Sequence, residues 1–155
     1  MFKTMSAEKY IPERLDQFQS WYDGKAVSAK KWYFRLRITS VIGAALVPIA
    51  ANVIVDPTTA RYVTTVISLI VSLAVALDGV FHYGDQWKNY RSTEQFLSRE
   101  KFLFQTGEGP YKEAEPEKAF SLLVDRCETQ IAAENSATLN VISTESQESA
   151  SAKGA

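Results

Sequence analysis

The sequence predicts an all-α membrane protein. We expect an antiparallel two-span transmembrane helical hairpin, continuous with a cytoplasmic helical bundle, in a homo-oligomer. Two apolar runs without formal charge support this prediction, at residues 38–55 and 62–77. The first run has 18 residues, and a helix of that length measures about 27 Å, close to the hydrocarbon thickness of a bilayer. The second has 16 residues and needs its neighbours to cross, so we expect spans at about 36–55 and 60–81.

A soluble protein with two buried core helices is the alternative explanation of these runs. Both runs are apolar on every helix face, and a chain of 155 residues rarely encloses two such helices. The net charge is −1, so the overall charge does not favour a nucleic-acid partner. The first run begins at residue 38, behind a long charged segment, which argues against a secretory signal peptide.

A cytoplasmic helix is predicted before the first span, at about 11–35, after a short N-terminal segment at 1–10. Its apolar face recurs at steps of three and four residues and consists of Ile11, Leu15, Phe18 and Tyr22. Cations and aromatic rings alternate just before the span, at Lys30, Lys31, Trp32, Tyr33, Phe34, Arg35 and Arg37. This mixture is typical of the headgroup level on the cytoplasmic side of a membrane.

Two prolines shape the hairpin. Pro48 lies inside the first span and predicts a kink or hinge, because the carbonyl of Ala44 loses its N–H partner. The turn after this span begins with Asp56 and Pro57, and these residue types favour a helix N-cap followed by the first helical position. A turn this short makes the two spans antiparallel neighbours.

The distribution of Lys and Arg predicts the orientation. Eight of these residues precede the first span, one lies in the turn, and eight follow the second span. The positive-inside rule therefore places both termini in the cytoplasm. We expect a multi-pass protein of the inner (plasma) membrane.

The second span is predicted to continue without a break into a cytoplasmic helix at about 82–105. Gly107 favours a left-handed helix end, and Pro110 prevents continuation. A third cytoplasmic helix is expected at about 116–135, with an apolar stripe at Phe120, Leu123, Val124, Cys127 and Ile131. The prediction is therefore a single domain at 11–135, followed by a disordered tail at 136–155 that is rich in Ser, Glu, Ala and Thr.

Signals of an enzyme are nearly absent. The chain has one histidine, His82, and one cysteine, Cys127, which are too few soft ligands for a metal site. Cys127 lies on an apolar stripe and is expected to pack as a small hydrophobe. Glycines at 107 and 109 suggest a helix end more than a phosphate loop. No enzyme activity, metal or cofactor is predicted.

The polar side of the second span is more informative. Thr65, Ser68 and Ser72 lie three and four residues apart, and Gly79 continues the stripe. One interpretation is tight packing against the first span, with the hydroxyls bonded back to the preceding turn. The other is a water-filled pore lining, which requires several subunits because two helices cannot enclose a pore. Asp78 is either a residue at the headgroup level or part of a carboxylate ring at a pore mouth.

Two further segments match a known pattern. The first is Arg14-Leu-Asp-x-x-x-x-Trp-Tyr-Asp23, followed by Lys30-Lys31-x-Tyr33. The second runs through Trp87, Tyr90, Arg91, Thr93, Leu97 and Glu100 to Thr106-Gly-x-Gly-Pro-Tyr111. Over roughly residues 8–135 the chain resembles the SLATT superfamily, the "SMODS and SLOG-associating two-transmembrane effector" domains, as a stand-alone bacterial member.

The resemblance implies a bacterial membrane protein whose relatives are thought to form pores in conflict and defence systems, after activation by a nucleotide-sensing partner protein. It favours the pore-lining interpretation of Thr65, Ser68 and Ser72. Asp78 and Gly79 are the further candidates for the pore lining. We expect a cytoplasmic network of polar residues, within or between subunits, among the family-matching Trp87, Tyr90, Arg91, Glu94 and Glu100. From sequence alone, however, Glu94, Arg99, Glu100 and Lys101 look like a solvated charged face.

The predicted function is therefore an oligomeric pore or ion channel. Its expected partners are a lipid bilayer, further copies of itself and permeating ions, but no nucleic acid. The alternative is a non-conducting, membrane-anchored interaction module whose cytoplasmic helices dock a partner. The oligomeric state in detergent and the single-channel current separate the two.

Overall fold

The computed structural model describes the backbone of residues 5–152 and the side chains of residues 5–136. In chain order its elements are α1 (Ala7–Tyr10), a π-helical turn (Ile11–Leu15), α2 (Asp16–Val53), α3 (Pro57–Phe81), α4 (Tyr83–Thr106), a 3-10 turn (Gly109–Tyr111) and α5 (Pro116–Ala152). The described residues contain no strand, which confirms the predicted all-α class.

Two helical stretches are long and apolar enough to cross a membrane, Ala7–Val53 and Pro57–Phe81. In each stretch, only 6% of the most apolar window is buried by the rest of the chain. Core helices of a soluble domain are covered by their neighbours. These two helices are not covered in this way, which disfavours the soluble alternative.

The chain divides into two compact units. The span unit is Val27–Trp87, which contains most of α2 and all of α3. The terminal unit combines Met1–Ala26 with Lys88–Ala155. Each unit is described below by itself.

Helix α2 joins the predicted cytoplasmic helix and the first span in one element of 38 residues. Pro48 lies inside it, and the side-chain amide of Asn52 donates to the Pro48 carbonyl at 2.7 Å. The polar group of Asn52 is therefore satisfied within its own helix. A hinge at Pro48 stays a prediction.

The predicted start of α3 is confirmed. The Thr59 N–H donates to the Asp56 carboxylate at 2.7 Å, and Pro57 is the first helical residue. This N-cap satisfies one of the backbone donors that a helix start leaves open. Hydrogen bonds from Thr59 also lower the pKa of Asp56.

We predicted one unbroken helix from the second span into the cytoplasmic helix. This prediction is wrong, because the helix is interrupted at His82. This residue has a φ of 46° and a left-handed conformation. Its N–H ends α3 by donating to the Asp78 carbonyl at 3.0 Å. Its own carbonyl then accepts from Asp85 at 3.0 Å and from Gln86 at 3.1 Å, which starts α4. The Gln86 side chain caps the Phe81 carbonyl at 2.8 Å.

Helix α4 ends as predicted, at Thr106, with Gly107 in a left-handed conformation. The Glu108 N–H reaches back to the Leu103 carbonyl at 3.0 Å, and the Gly107 N–H reaches the Phe104 carbonyl at 3.3 Å. These two bonds form a Schellman motif, which satisfies carbonyls at the helix end. The following 3-10 turn and α5 both begin close to a proline.

The terminal unit has a buried core formed by Tyr10, Leu15, Tyr22, Leu97, Tyr111, Ala119, Leu123, Cys127 and Ile131. The predicted apolar stripe of the third cytoplasmic helix supplies three of these residues. Helix α5 has helical backbone to Ala152, and its side chains beyond residue 136 lie outside the described part. The disordered tail proposed for 136–155, of which 153–155 lie outside the described backbone, stays a prediction.

Candidate functional site

Within the span unit, α2 and α3 pack through small and branched residues. A Cβ atom on Gly43 would collide with the side chain of Val71 and would lie 3.8 Å from Ile67. Ala74, on the same face of α3, is buried. Glycine at position 43 therefore allows α3 to approach the α2 backbone closely. This contact defines the face of α3 that is turned towards α2.

The predicted polar stripe of α3 lies off that face. Thr65, Ser68, Ser72 and Gly79 are all exposed in the single chain. The Thr65 hydroxyl donates to the Arg61 carbonyl at 2.7 Å, and the Ser72 hydroxyl donates to the Ser68 carbonyl at 2.9 Å. The bonds back to the preceding turn are those of the packing interpretation, but α2 does not cover the stripe in the single chain. We call Thr65, Ser68, Ser72 and Gly79 the polar face.

Asp78 is adjacent to the polar face in sequence but turned differently. Its side chain is 25% exposed and lies 3.7 Å from Arg37 of α2. Position 78 follows Val71 and Ala74 at steps of three and four residues, so it shares the α2-facing side. Asp78 therefore has a cationic partner within its own chain, and the structure does not group it with the polar face.

Trp87, placed in the predicted cytoplasmic network, belongs instead to an aromatic cluster in the span unit. Its ring stacks on Tyr33 with centroids 6.3 Å apart, and the Lys30 ammonium lies 5.4 Å from its centroid. Trp32 stacks on Tyr83 in the same way. Gly84 provides the space for Tyr33, because a Cβ there would lie 3.0 Å from the ring. The cluster fixes the start of α4 against α2.

The terminal unit contains part of the predicted network. The Arg91 guanidinium donates to Asp23 at 2.9 Å and to Glu94 at 3.0 Å, and Gln19 donates to Glu94 at 3.4 Å. Tyr90 packs edge-on against Trp21. Three of the five predicted residues therefore lie together, and they connect α4 to α2.

Glu100 lies in a second cluster, and the sequence-based picture of it as part of a solvated face is wrong. It is 1% exposed, because α5 and the 3-10 turn cover it. Arg126 donates to its carboxylate at 2.7 and 2.8 Å, and Tyr111 donates at 2.6 Å. The Arg126 hydrogen bonds lower the pKa of Glu100 in opposition to burial. Lys101, predicted on the same solvated face, pairs with Asp16 at 2.6 Å.

A third cluster was not predicted at all. Arg14 donates to the two carboxylate oxygens of Glu128 at 2.6 and 2.7 Å, and Tyr10 donates to Glu128 at 3.0 Å. Tyr22 donates to the buried Glu134 at 3.2 Å. The sequence held one signal, because position 134 continues the apolar stripe three residues after Ile131.

Comparison with known protein families gives a match to most of the sequence. A family model described as "Protein of unknown function (DUF4231)" matches residues 17–119. The matched region contains all of α3 and α4 and nearly all of α2. No curated protein and no solved structure matches the chain.

Proposed function

This chain belongs to the family described as "Protein of unknown function (DUF4231)", whose description assigns no activity, and from its own residues we propose that it is a homo-oligomeric, ion-conducting membrane protein. In this proposal α2 and α3 cross the bilayer as an antiparallel hairpin. Several copies arrange their α3 helices around a common axis, and the polar face lines the ion path.

The membrane placement is supported by the two long apolar helices and by the one-sided charges. Arg61 is the only Lys or Arg in or near the turn, whereas eight lie before the first span and eight after the second. This asymmetry favours both termini in the cytoplasm. The resemblance to the SLATT superfamily favours the inner membrane of a bacterium.

The observation that carries the conduction proposal is the exposure of the polar face. In a hairpin that used Thr65, Ser68 and Ser72 to hold its two helices together, these residues would be covered by α2. They are exposed, while Gly43 and Val71 make the contact instead. In a membrane, polar side chains on a helix usually face other protein or a water-filled cavity. The polar face is therefore available to other subunits and to water.

In this arrangement Asp78 attracts cations less strongly than an unpaired ring of carboxylates at the pore mouth would. Its pairing with Arg37 offsets much of the negative charge at the cytoplasmic end of the path. We therefore propose that selectivity depends on the hydroxyls of the polar face and on pore diameter, with a weak contribution from Asp78.

We place gating in the cytoplasmic helices and at the joint between α3 and α4. His82 interrupts the backbone hydrogen bonds there, so a movement of α4 acts on α3 through a few dihedral angles. The resemblance favours a nucleotide-sensing partner protein as the source of the stimulus. This chain would then be an effector in bacterial conflict.

Cysteine modification during ion flux tests the proposal. Cys127 is fully buried, and burial raises its pKa to about 12, so a charged thiol reagent leaves it unmodified at neutral pH. Ser72→Cys places a thiol on the polar face. Leu73→Cys is the matched control, since it has the same depth, is 58% exposed, and lies about 100° around the helix.

The chain is reconstituted into liposomes, and ion flux is measured before and after a cationic thiol reagent is added. We expect the reagent to block flux through Ser72→Cys and to leave flux through Leu73→Cys and through the wild type unchanged. Equal insensitivity of both variants, in liposomes that conduct, contradicts a lining role. Absence of flux from every protein supports the non-conducting anchor instead.

A further inference from the structure

One exposed side of α2, which α3 does not cover, combines a cationic end with an apolar length. Helix α3 contacts α2 at Gly43, and the buried Leu36 lies on the same side at a step of seven residues. A stripe turned about 80° to 140° from Gly43 around the helix recurs at steps of four, three, four and seven residues. It consists of Lys31, Arg35, Ile38, Ile42 and Ile49, which are all exposed. We call these five residues the lipid stripe.

The cations of the lipid stripe lack acidic partners among the described residues. No Asp or Glu occurs between Asp23 and Asp56, so α2 supplies no carboxylate near Lys31 or Arg35. Two like charges four residues apart on a helix repel each other. The Arg35 guanidinium lies 5.7 Å from the Trp32 ring centroid, a contact that supplies no formal negative charge. An external anion between the two side chains would remove the repulsion.

The neighbouring cations differ from this pair. Arg37 pairs with Asp78 at 3.7 Å, and Lys30 lies over the ring of Trp87. Each is therefore engaged by a residue of another helix, whereas the ring beside Arg35 belongs to α2 itself. Lys31 and Arg35 are the two cations at this end of α2 whose positions favour binding of an anion from outside the chain.

The apolar part of the lipid stripe begins directly beside these cations. Ile38, Ile42 and Ile49 are 53%, 54% and 55% exposed. They extend over about 16 Å of helix, a length over which one acyl chain can lie against the branched side chains. The order of charge and apolar surface along the stripe is that of a single phospholipid molecule.

We propose that the lipid stripe binds one phospholipid with an anionic headgroup. Its phosphate lies between Lys31 and Arg35, and an acyl chain runs along the isoleucines. This proposal rests on the membrane placement given above. A free phosphate would use the two cations alone and gain nothing from Ile38, Ile42 and Ile49, which is why we assign the site to a lipid.

Lipid titration of the full-length chain in neutral detergent tests the proposal. Dissociation constants are measured by native mass spectrometry for phosphatidylglycerol, phosphatidylcholine and inorganic phosphate. We expect the wild type to prefer phosphatidylglycerol. The double variant Lys31→Gln/Arg35→Gln is expected to bind phosphatidylglycerol about 20- to 30-fold more weakly, since each cation near a lipid surface contributes about fivefold. Phosphatidylcholine binding should not change.

A matched control removes the same charge elsewhere. Lys112→Gln/Lys118→Gln changes two exposed lysines of the terminal unit and should retain the phosphatidylglycerol preference. Glutamine is a good helix former and should preserve the helices. An unchanged circular dichroism spectrum shows that each variant folds. A second variant, Ile38→Ser/Ile42→Ser, is expected to weaken the binding of both phosphatidylglycerol and phosphatidylcholine, because it removes apolar contact but no charge.

Two results would overturn the lipid stripe. One is a phosphatidylglycerol affinity that is the same in the wild type and in the Lys31/Arg35 double variant. The other is displacement of phosphatidylglycerol by an equal concentration of inorganic phosphate, which would assign the cations to a soluble anion. Failure of the proposed function looks different: a wild-type chain that does not float with neutral vesicles overturns the membrane placement itself. A chain that floats and conducts without lipid preference overturns the lipid stripe alone.

Discussion

The guanidinium of Arg126 donates two hydrogen bonds, at 2.7 and 2.8 Å, to the carboxylate of Glu100, which the surrounding helices bury. Tyr111 completes the cluster from the 3-10 turn. This relationship ties α4 to α5 across 26 residues of sequence. It also places a charge-assisted pair where it affects stability more than an exposed pair would.

Glu100→Gln is expected to lower the free energy of unfolding by about 2 to 3 kcal/mol, because it leaves Arg126 without its carboxylate partner. Chemical denaturation of the detergent-solubilised chain, followed by circular dichroism, measures the change. Glu13→Gln is the control, since the pair of Glu13 with Lys9 is exposed and its loss should have little effect. A loss of stability no larger than that of the control would contradict the structural role of Glu100.

Stability should fall with acid because of two carboxylates. Hydrogen bonds from Arg126 and from Arg14 lower the pKa values of Glu100 and Glu128 below their ordinary value of 4.5. A lowered pKa stabilises the folded chain fully above 4.5, and this stabilisation is lost as the pH falls through the folded values. The denaturation midpoint, measured between pH 7 and pH 3, should therefore decrease below about 4.5. A Glu100→Gln/Glu128→Gln variant that shows the same decrease would refute this assignment.

Replacements at His82 should reveal the left-handed backbone of the joint. Its φ of 46° is costly for residues with a Cβ and costs glycine nothing. His82→Gly is therefore expected to be more stable than His82→Ala by about 1 kcal/mol, and both variants lack the imidazole. Thermal unfolding of the two proteins measures the difference. An alanine variant as stable as the glycine variant would indicate that α3 and α4 form one continuous helix.

Two glycines of α2 should respond in opposite directions to alanine. A Cβ on Gly43 collides with Val71, whereas a Cβ on Gly24 meets nothing within 4 Å. Gly24→Ala should stabilise the chain by about 1 kcal/mol through helix propensity. Gly43→Ala should lower stability, because α3 must move away from α2. Thermal unfolding of the two variants provides the comparison, and stabilisation by both would argue against the close α2–α3 contact.

Local signals in the sequence predicted local structure well. Asp56 with Pro57, and Gly107 with Pro110, act within one helical turn, and the structure contains the helix start and the helix end that these residues predicted. The break at His82 was missed because histidine is no strong helix breaker and Val80 and Phe81 are apolar up to the break. Glu100 was misplaced for a different reason: its burial depends on Arg126 and Tyr111, whose position follows from packing of the terminal unit.

The candidate site was likewise predicted where local spacing decides the structure and missed where packing decides it. Helical spacing alone predicted that Thr65, Ser68, Ser72 and Gly79 share one face. It could not predict which side of α3 turns towards α2, because that depends on the fit of Gly43 to Val71. For the same reason the sequence grouped Asp78 with the polar face, whereas the structure pairs it with Arg37.

An image of the purified assembly by electron cryo-microscopy would show whether α3 lines a pore. We expect several copies whose α3 helices surround a common axis, with Ser72 facing that axis and the lipid stripe facing outwards. A monomer or dimer without a central opening, or an assembly in which Leu73 rather than Ser72 faces the axis, would contradict it.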